Sequence, residues 1–319
     1  MDHSRFIGLS GPPFDFPVEL GKQREFAAAL HAFQPEFHDG PTPLMFPTLP
    51  IIAGYIWGYM LEEPRCTPLE ALGMADAMSL DGEQEFTFHG QKPRVGDRLV
   101  AQTSVDDIWI KQGRRGGKLT FYRMRCDFRD PETQTLRLTH FATSVVPEDV
   151  PDETPAAAAA ASTAYLPYRE ERLQFMALPR RSPAGLQVGD TPGPIAMPPH
   201  TLTDCVRYQI TTGSYGAGHH DVNAARAEGF PTWFGVGMYH AGLLCNYAVG
   251  WLGVAGLRRF KARFQDVTWP GDVLAYQGAV TGLEDGPDGP IARLELQATR
   301  ADGTVVTRAW ADFDSGNTA

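Results

Sequence analysis

Histidine is the side chain best placed to give and take protons near neutral pH. The chain has nine of them, and two are adjacent, His219 and His220. They close a glycine-rich run, Gly213-Ser214-Tyr215-Gly216-Ala217-Gly218, and precede Asp221 and a short helical pattern. Asp immediately before a helix is ordinarily its N-cap. His240 lies alone inside a long apolar stretch and reads as a satisfied core residue. Arg259, Lys261 and Arg263 alternate with Phe260, Ala262 and Phe264, so a strand there carries a basic face. Such a face suits either phosphate pairing or plain solvation. Gly113 to Lys118 lacks the spacing of a phosphate-binding loop and reads as a hairpin turn. The cysteines, Cys66, Cys126, Cys205 and Cys245, form neither a zinc pattern nor a disulfide framework.

The elements that would position these residues occur twice. Residues 147–164 hold three prolines, four acids and the run Ala156 to Ala161, and read as a linker between halves of about equal length. Each half has a Phe-Pro-Thr (Phe46-Pro47-Thr48, Phe230-Pro231-Thr232) followed by a glycine-rich apolar helix, Leu49 to Leu61 and Trp233 to Leu252. Each helix is followed by an alternating strand, Glu85 to His89 and Arg259 to Phe264, that runs into a Gly-Asp turn, Gly96-Asp97 and Gly271-Asp272. Three more strands follow in each: Leu99 to Trp109, Leu119 to Phe128 and Leu136 to Val146, then Leu274 to Thr281, Ala292 to Thr299 and Val305 to Phe313. The period-two patterning predicts antiparallel strands with one face buried, covered by the long helix. The matching order predicts an internal duplication.

A net charge of −10 argues against nucleic acid or anionic membrane as a partner. Met238 to Gly256 is apolar enough to need a membrane check, but His240, Asn246 and several glycines favour a helix buried under a sheet. Met1 to Ser10 lacks the apolar core of a secretory signal. A cytoplasmic protein is expected.

The same residues resemble a known family. Gly21-Lys22-Gln23-Arg24-Glu25-Phe26, Phe46-Pro47-Thr48, Gly82-Glu83-Gln84-Glu85-Phe86 and Gly113 to Lys118 resemble the FAS1-like dehydratase half of fused MaoC-type proteins. Val188-Gly189-Asp190, Arg207-Tyr208, Gly213 to Asp221, Gly229-Phe230-Pro231, Gly237-Met238 and Pro270-Gly271-Asp272 resemble a MaoC-like hydratase domain. The resemblance implies an α+β double hot-dog fold, two antiparallel sheets each wrapping a long central helix as a pseudo-dimer. It implies an N-terminal hot-dog over 1–148, the half without catalytic residues in that family's pattern, a linker over 149–164, and a C-terminal hot-dog with the active site over 165–319.

The implied activity is hydration of an enoyl thioester, or the reverse dehydration. No metal and no cofactor is implied beyond coenzyme A or a carrier protein as part of the substrate. The family motif Gly-Asp-x-Asn-Pro-[Ile/Val]-His falls on Gly213 to His219, with Ser214 in place of the aspartate and Gly216 in place of the asparagine. His219 is then the acid/base, His220 its alternative if the register slips by one, and Ser214 a possible holder of the water. Asp204 and Asp221 are candidates to replace the missing carboxylate. The enolate would be held at the start of the central helix, at Gly237 and Met238. Substrate contacts are expected from Tyr215, Gly216, Asp221, Trp233 and Phe234, with Arg259 and Lys261 for coenzyme A phosphates. The partner is a small-molecule acyl thioester, bound by a monomeric pseudo-dimer or a homodimer. Ser214 also keeps open a thioesterase, an elimination or a cyclisation, and a non-catalytic thioester-binding subunit.

Overall fold

The computed structural model describes residues 4–54, 67–68, 71–72, 79–113, 117–148, 161, 164–165, 178–286 and 289–316. Most of the expected linker, the tip of the Gly113 to Lys118 turn and the larger part of the expected N-terminal central helix lie outside them. What is described of that helix is its start, a 3-10 turn over Leu49–Ile51 running into helical residues 52–54, with Leu49 to Ala53 buried.

The strands are β1 (Phe14–Pro17), β2 (Leu80–Phe88), β3 (Arg98–Gln112), β4 (Lys118–Arg129), β5 (Leu136–Pro147), β6 (Ile195–Ala196), β7 (Leu257–Phe264), β8 (Ala275–Gly286), β9 (Gly289–Thr299) and β10 (Val305–Asp314). The helices are α1 (Leu20–Ala29), α2 (Leu202–Thr212), α3 (Val222–Ala227) and α4 (Gly237–Leu252). The expected duplication is visible in the strand order. One half runs β3-β4-β5-β2 and the other, as its mirror in the order, β7-β10-β9-β8. The hairpin reading of Gly113 to Lys118 agrees with the pairing of Gln112 with Lys118 and with the bond from Gly113 N–H to the Gly117 carbonyl, 3.0 Å.

Two separate sheets were expected, and here the structure differs. All ten strands form one antiparallel sheet, order β1-β3-β4-β5-β2-β7-β10-β9-β8-β6. The innermost strands of the halves, β2 and β7, pair directly from Glu83↔Arg263 to Thr87↔Arg259. An unpaired strand edge is a row of unmet donors and acceptors, and this pairing removes one such edge from each half. Phe86 and Phe260 face each other across it on the buried side, both 0% exposed. The other side is a charge ladder: Lys261 to Glu83 at 2.5 Å, Arg263 to Glu83 at 2.5 Å, and Arg259 to Glu85 at 2.6 Å.

Helix α4 lies under the C-terminal half of the sheet, against β7, β8, β9 and β10. Every residue from Met238 to Leu252 is buried, as a helix apolar on all sides requires. No helix among the described residues is long and apolar enough to cross a membrane. The polar residue that marked α4 as a protein helix joins it to the other half. Asn246 Nδ2–H donates to the Leu30 carbonyl at 3.0 Å, and Gln34 Nε2–H donates to Asn246 Oδ1 at 2.6 Å. Gly242 permits this approach, since a Cβ there would stand 2.5 Å from Leu30 Cδ2. Asn246→Leu would leave a buried carbonyl and a buried amide unmatched, at a cost of about 1–3 kcal/mol each. The urea midpoint of that variant is expected to fall by a corresponding amount. An unchanged midpoint would show that the junction does not need this pair.

Candidate functional site

The site is built where α2 stops. Asp204 accepts from the Thr201 N–H at 2.7 Å and its hydroxyl at 2.8 Å, which secures the start of α2. Tyr239 O–H also donates to Asp204, at 3.3 Å. This carboxylate is spent on the helix start and on α4, and it does not line the cavity described below. The helix ends at Gly213, whose φ of +74° is the left-handed conformation that favours glycine at a helix C-terminus. The chain then turns through Ser214, Tyr215 and Gly216 into a 3-10 turn, Ala217–His219. Asp221 accepts from the N–H groups of Asn223 (2.7 Å) and Ala224 (3.3 Å) and caps α3.

This path separates the two histidines. His219 Nδ1 lies 3.0 Å from the Phe234 carbonyl. A carbonyl only accepts, so Nδ1 carries the proton and Nε2 keeps its lone pair. Burial holds the ring below the usual imidazole range, against the opposing effect of that hydrogen bond, and His220 nearby lowers it further. A neutral, oriented imidazole with a free Nε2 is a general base. His220 points elsewhere, with Nδ1 2.8 Å from Gln209 Oε1, while Gln209 Nε2–H donates to the Gly216 carbonyl at 2.9 Å. Gln209 therefore fixes both the loop and the outward histidine. Gly216 keeps space open beside the inward one, since a Cβ there would lie 3.2 Å from His219 Cδ2 and 3.6 Å from Nε2.

His219 opens onto a cavity of about 850 Å³. This is within the range of small-molecule sites, roughly 300–1,000 Å³. Of the residues singled out from sequence, Ser214, Tyr215, Gly216, His219, Phe234 and Gly237 line it. Gly237 is the first residue of α4, where backbone N–H groups lack partners within the helix and the dipole favours negative charge. Its missing side chain is needed, for a Cβ would come within 3.0 Å of the Phe264 ring.

The other candidates lie elsewhere. Met238 is fully buried in the core, so only its backbone could serve an anion. Trp233 packs on the core, 5.8 Å from the His200 ring, and is not part of the cavity wall. Neither is Asp221. Arg259 and Lys261 sit in the charge ladder with Glu83, Glu85 and Asp312, already paired with carboxylates.

The cavity also has a wall the sequence reading did not anticipate. Ser79, Leu80 and Asp81 at the start of β2, with Ser144 of β5, reach it from the N-terminal half. Glu228 and Asp266 add carboxylates from the C-terminal half. Burial raises the Glu228 carboxyl, and Asp266 is held by Arg300 at 2.7 Å. The sequence offered Asp81 only a weak signal, its place just before Gly82 and ahead of the expected strand Glu85 to His89.

Residues 5–132 match the family model described as FAS1-like, dehydratase domain region. No curated protein matches the chain. Among solved structures, a MaoC-like dehydratase superposes with a TM-score of 0.74 at 19% identity, covering 98% of this chain and 99% of that one. A MaoC-like dehydratase from Phytophthora capsici gives a TM-score of 0.64 at 16% identity, covering 98% and 99%. A conserved hypothetical protein from Mycobacterium tuberculosis, described as a double hotdog fold, gives 0.57 at 15% identity, covering 95% of each chain. At these identities the likeness is one of fold, and the architecture is a double hot-dog. Residues 5–132 thus resemble a FAS1-like dehydratase domain, and the whole chain shares its fold with the MaoC-like dehydratases.

The placement of His219 has a direct spectroscopic consequence. Its imidazole is expected to titrate below 6.5 by NMR, with the proton on Nδ1 in the neutral form. Because the folded value lies below the unfolded one, this histidine costs stability as pH falls through the ordinary imidazole range. A midpoint at or above 6.5 would contradict the partly buried, neutral ring.

Proposed function

We propose that the chain is a hydratase/dehydratase of acyl thioesters, interconverting an enoyl thioester and a 3-hydroxyacyl thioester. One observation carries the reading: His219, with Nδ1 pinned to a carbonyl and Nε2 free, faces the same cavity as the N-terminus of α4 at Gly237. Addition of water to an enoyl thioester needs a base for the water and donors for the enolate oxygen. His219 supplies the first and the α4 N–H groups the second. Ser214, buried and beside them, holds the water by hydrogen bonding and has no basicity of its own at neutral pH.

On this reading the N-terminal hot-dog, 1–148, completes the cavity and holds the acyl group. The C-terminal hot-dog, 165–319, carries the base. The protein is cytoplasmic, works without metal or redox cofactor, and takes coenzyme A or carrier-protein thioesters as a monomeric pseudo-dimer or a homodimer. The coenzyme phosphates are met elsewhere than at Arg259 and Lys261, whose charges are already matched. The second reading, a hot-dog enzyme of another reaction or a thioester-binding subunit, rests on Ser214 standing where a hydratase carboxylate is expected.

The test is a panel of enoyl-CoA and 3-hydroxyacyl-CoA thioesters, followed by enoyl absorbance and product mass. His219→Ala is expected to lose about 10²–10⁴ in rate, with the fold retained. Ser214→Asp is expected to raise activity above wild type. Release of free coenzyme A without hydration, or an unaffected His219→Ala variant, would overturn the reading.

A further inference from the structure

A hydratase of this kind needs a second proton-transfer group, because His219 takes the proton from water while C2 must receive another. The motif position holds Ser214, and Asp204 and Asp221 are used as helix caps. The bulge in β2 brings a different carboxyl to the cavity. Along β2, Glu83 and Glu85 point to the outer face, into the charge ladder, and Gln84 and Phe86 point to the core. Strict alternation would put Asp81 on the outer face with Glu83. The register instead shifts between Asp81 and Glu83, from Asp81↔Ser144 to Glu83↔Thr143. One extra residue turns Asp81 to the inner side, where Gln84 Nε2–H donates to its Oδ1 at 3.2 Å and it joins the cavity wall. The bulge depends on Gly82, since a Cβ there would stand 2.8 Å from Val145 Cγ2 and 3.2 Å from the Thr143 carbonyl.

We propose that Asp81, delivered from the N-terminal half through the Gly82 bulge, is the second catalytic residue of this cavity and the proton donor to C2. The proposal rests on the hydratase reading. As the water oxygen bonds C3, its proton goes to His219 Nε2. The C2–C3 π pair moves to give the enolate, held at the α4 N–H groups. The Asp81 carboxyl then gives its proton to C2, forming the C2–H bond. His219 ends protonated and Asp81 ionised, and a proton passed through solvent resets both. Dehydration runs the same steps backwards.

The surroundings suit a proton donor. Burial raises the Asp81 carboxyl to about 6, partly offset by Gln84, so a usable fraction is protonated near neutrality. Gln84 is itself oriented by His140, Nε2 to Oε1 2.7 Å, and burial lowers His140 to about 3, so that ring is neutral. Tyr208, fully buried on α2, feels the Asp81 charge and is pushed up by burial. The other ionisable groups on the cavity wall are His219, Tyr215, Glu228 and Asp266. Glu228, also raised by burial, is the rival candidate for the donor.

The experiment compares wild type with Asp81→Asn and Glu228→Gln in the full chain. Enoyl-CoA hydration is followed as a function of pH, together with binding of a saturated acyl-CoA. Asp81→Asn is expected to lose 10²-fold or more in kcat with KM little changed, and to lose the fall in kcat on the alkaline side. A carboxyl whose folded value is raised costs stability that builds as pH rises from the ordinary carboxyl range to about 6 and is complete above it. The Tm of Asp81→Asn should therefore exceed wild type at pH 7.5 and match it at pH 4, which also shows that the variant folds. Binding of the saturated thioester should be tighter at pH 5.5 than at pH 8 in wild type, and this difference should shrink in Asp81→Asn. If wild type hydrates and Asp81→Asn keeps its rate within threefold, or Glu228→Gln carries the loss instead, this inference fails and the hydratase reading stands. If wild type hydrates nothing yet its binding shows the Asp81-dependent pH effect, the hydratase reading fails and Asp81 remains a ligand-facing carboxyl. Inactivity together with binding indifferent to Asp81 overturns both.

Discussion

The antiparallel pairing of β2 with β7 is the constraint on which the rest of the molecule depends. It turns two similar half-sheets into one sheet of ten strands, with Phe86 and Phe260 meeting inside and Glu83 and Glu85 meeting Lys261, Arg259 and Arg263 outside. Isolated surface ion pairs contribute little, but a connected ladder over an apolar pair also fixes register. Register matters here because β2 carries a wall of the cavity and β7 carries Phe264 beside Gly237. A slip of one residue would turn both sets of side chains to the wrong face.

The second support is α4. Its burial on all sides and its Asn246 link to Leu30 and Gln34 hold the two halves at a fixed spacing. Its first turn then stands at a set distance from the loop that follows α2. The left-handed Gly213 aims that loop, and Gln209 ties it down. The catalytic candidate His219 is thus carried on a loop, but one braced by a helix end, a side-chain amide and the Phe234 carbonyl.

Much of this was legible in the sequence for physical reasons. Alternation of Arg259 to Phe264 gave both the strand and its basic face, and apolar continuity of Trp233 to Leu252 gave the helix, which begins at Gly237. What the basic face meets was not legible, because Glu83 and Glu85 lie more than 170 residues away along the chain. The same distance hid the single sheet behind an expectation of two. Sequence spacing left His219 and His220 interchangeable. Only the Phe234 carbonyl and the Gln209 amide, both set by tertiary packing, distinguish them. Trp233 and Phe234 looked equivalent, yet only Phe234 reaches the cavity. Asp81 was missed because the strand was started at Glu85, past the glycine that turns the carboxyl inward.

If water is added across an enoyl thioester in this cavity, with His219 taking its proton, isotopes from the solvent will appear in the product. An enoyl-CoA incubated with the protein in D₂¹⁸O should give a 3-hydroxyacyl-CoA with one deuterium at C2 and one ¹⁸O at C3, and His219→Ala should give neither. Appearance of ¹⁸O in a free carboxylic acid with release of coenzyme A would contradict the account and assign the cavity to hydrolysis.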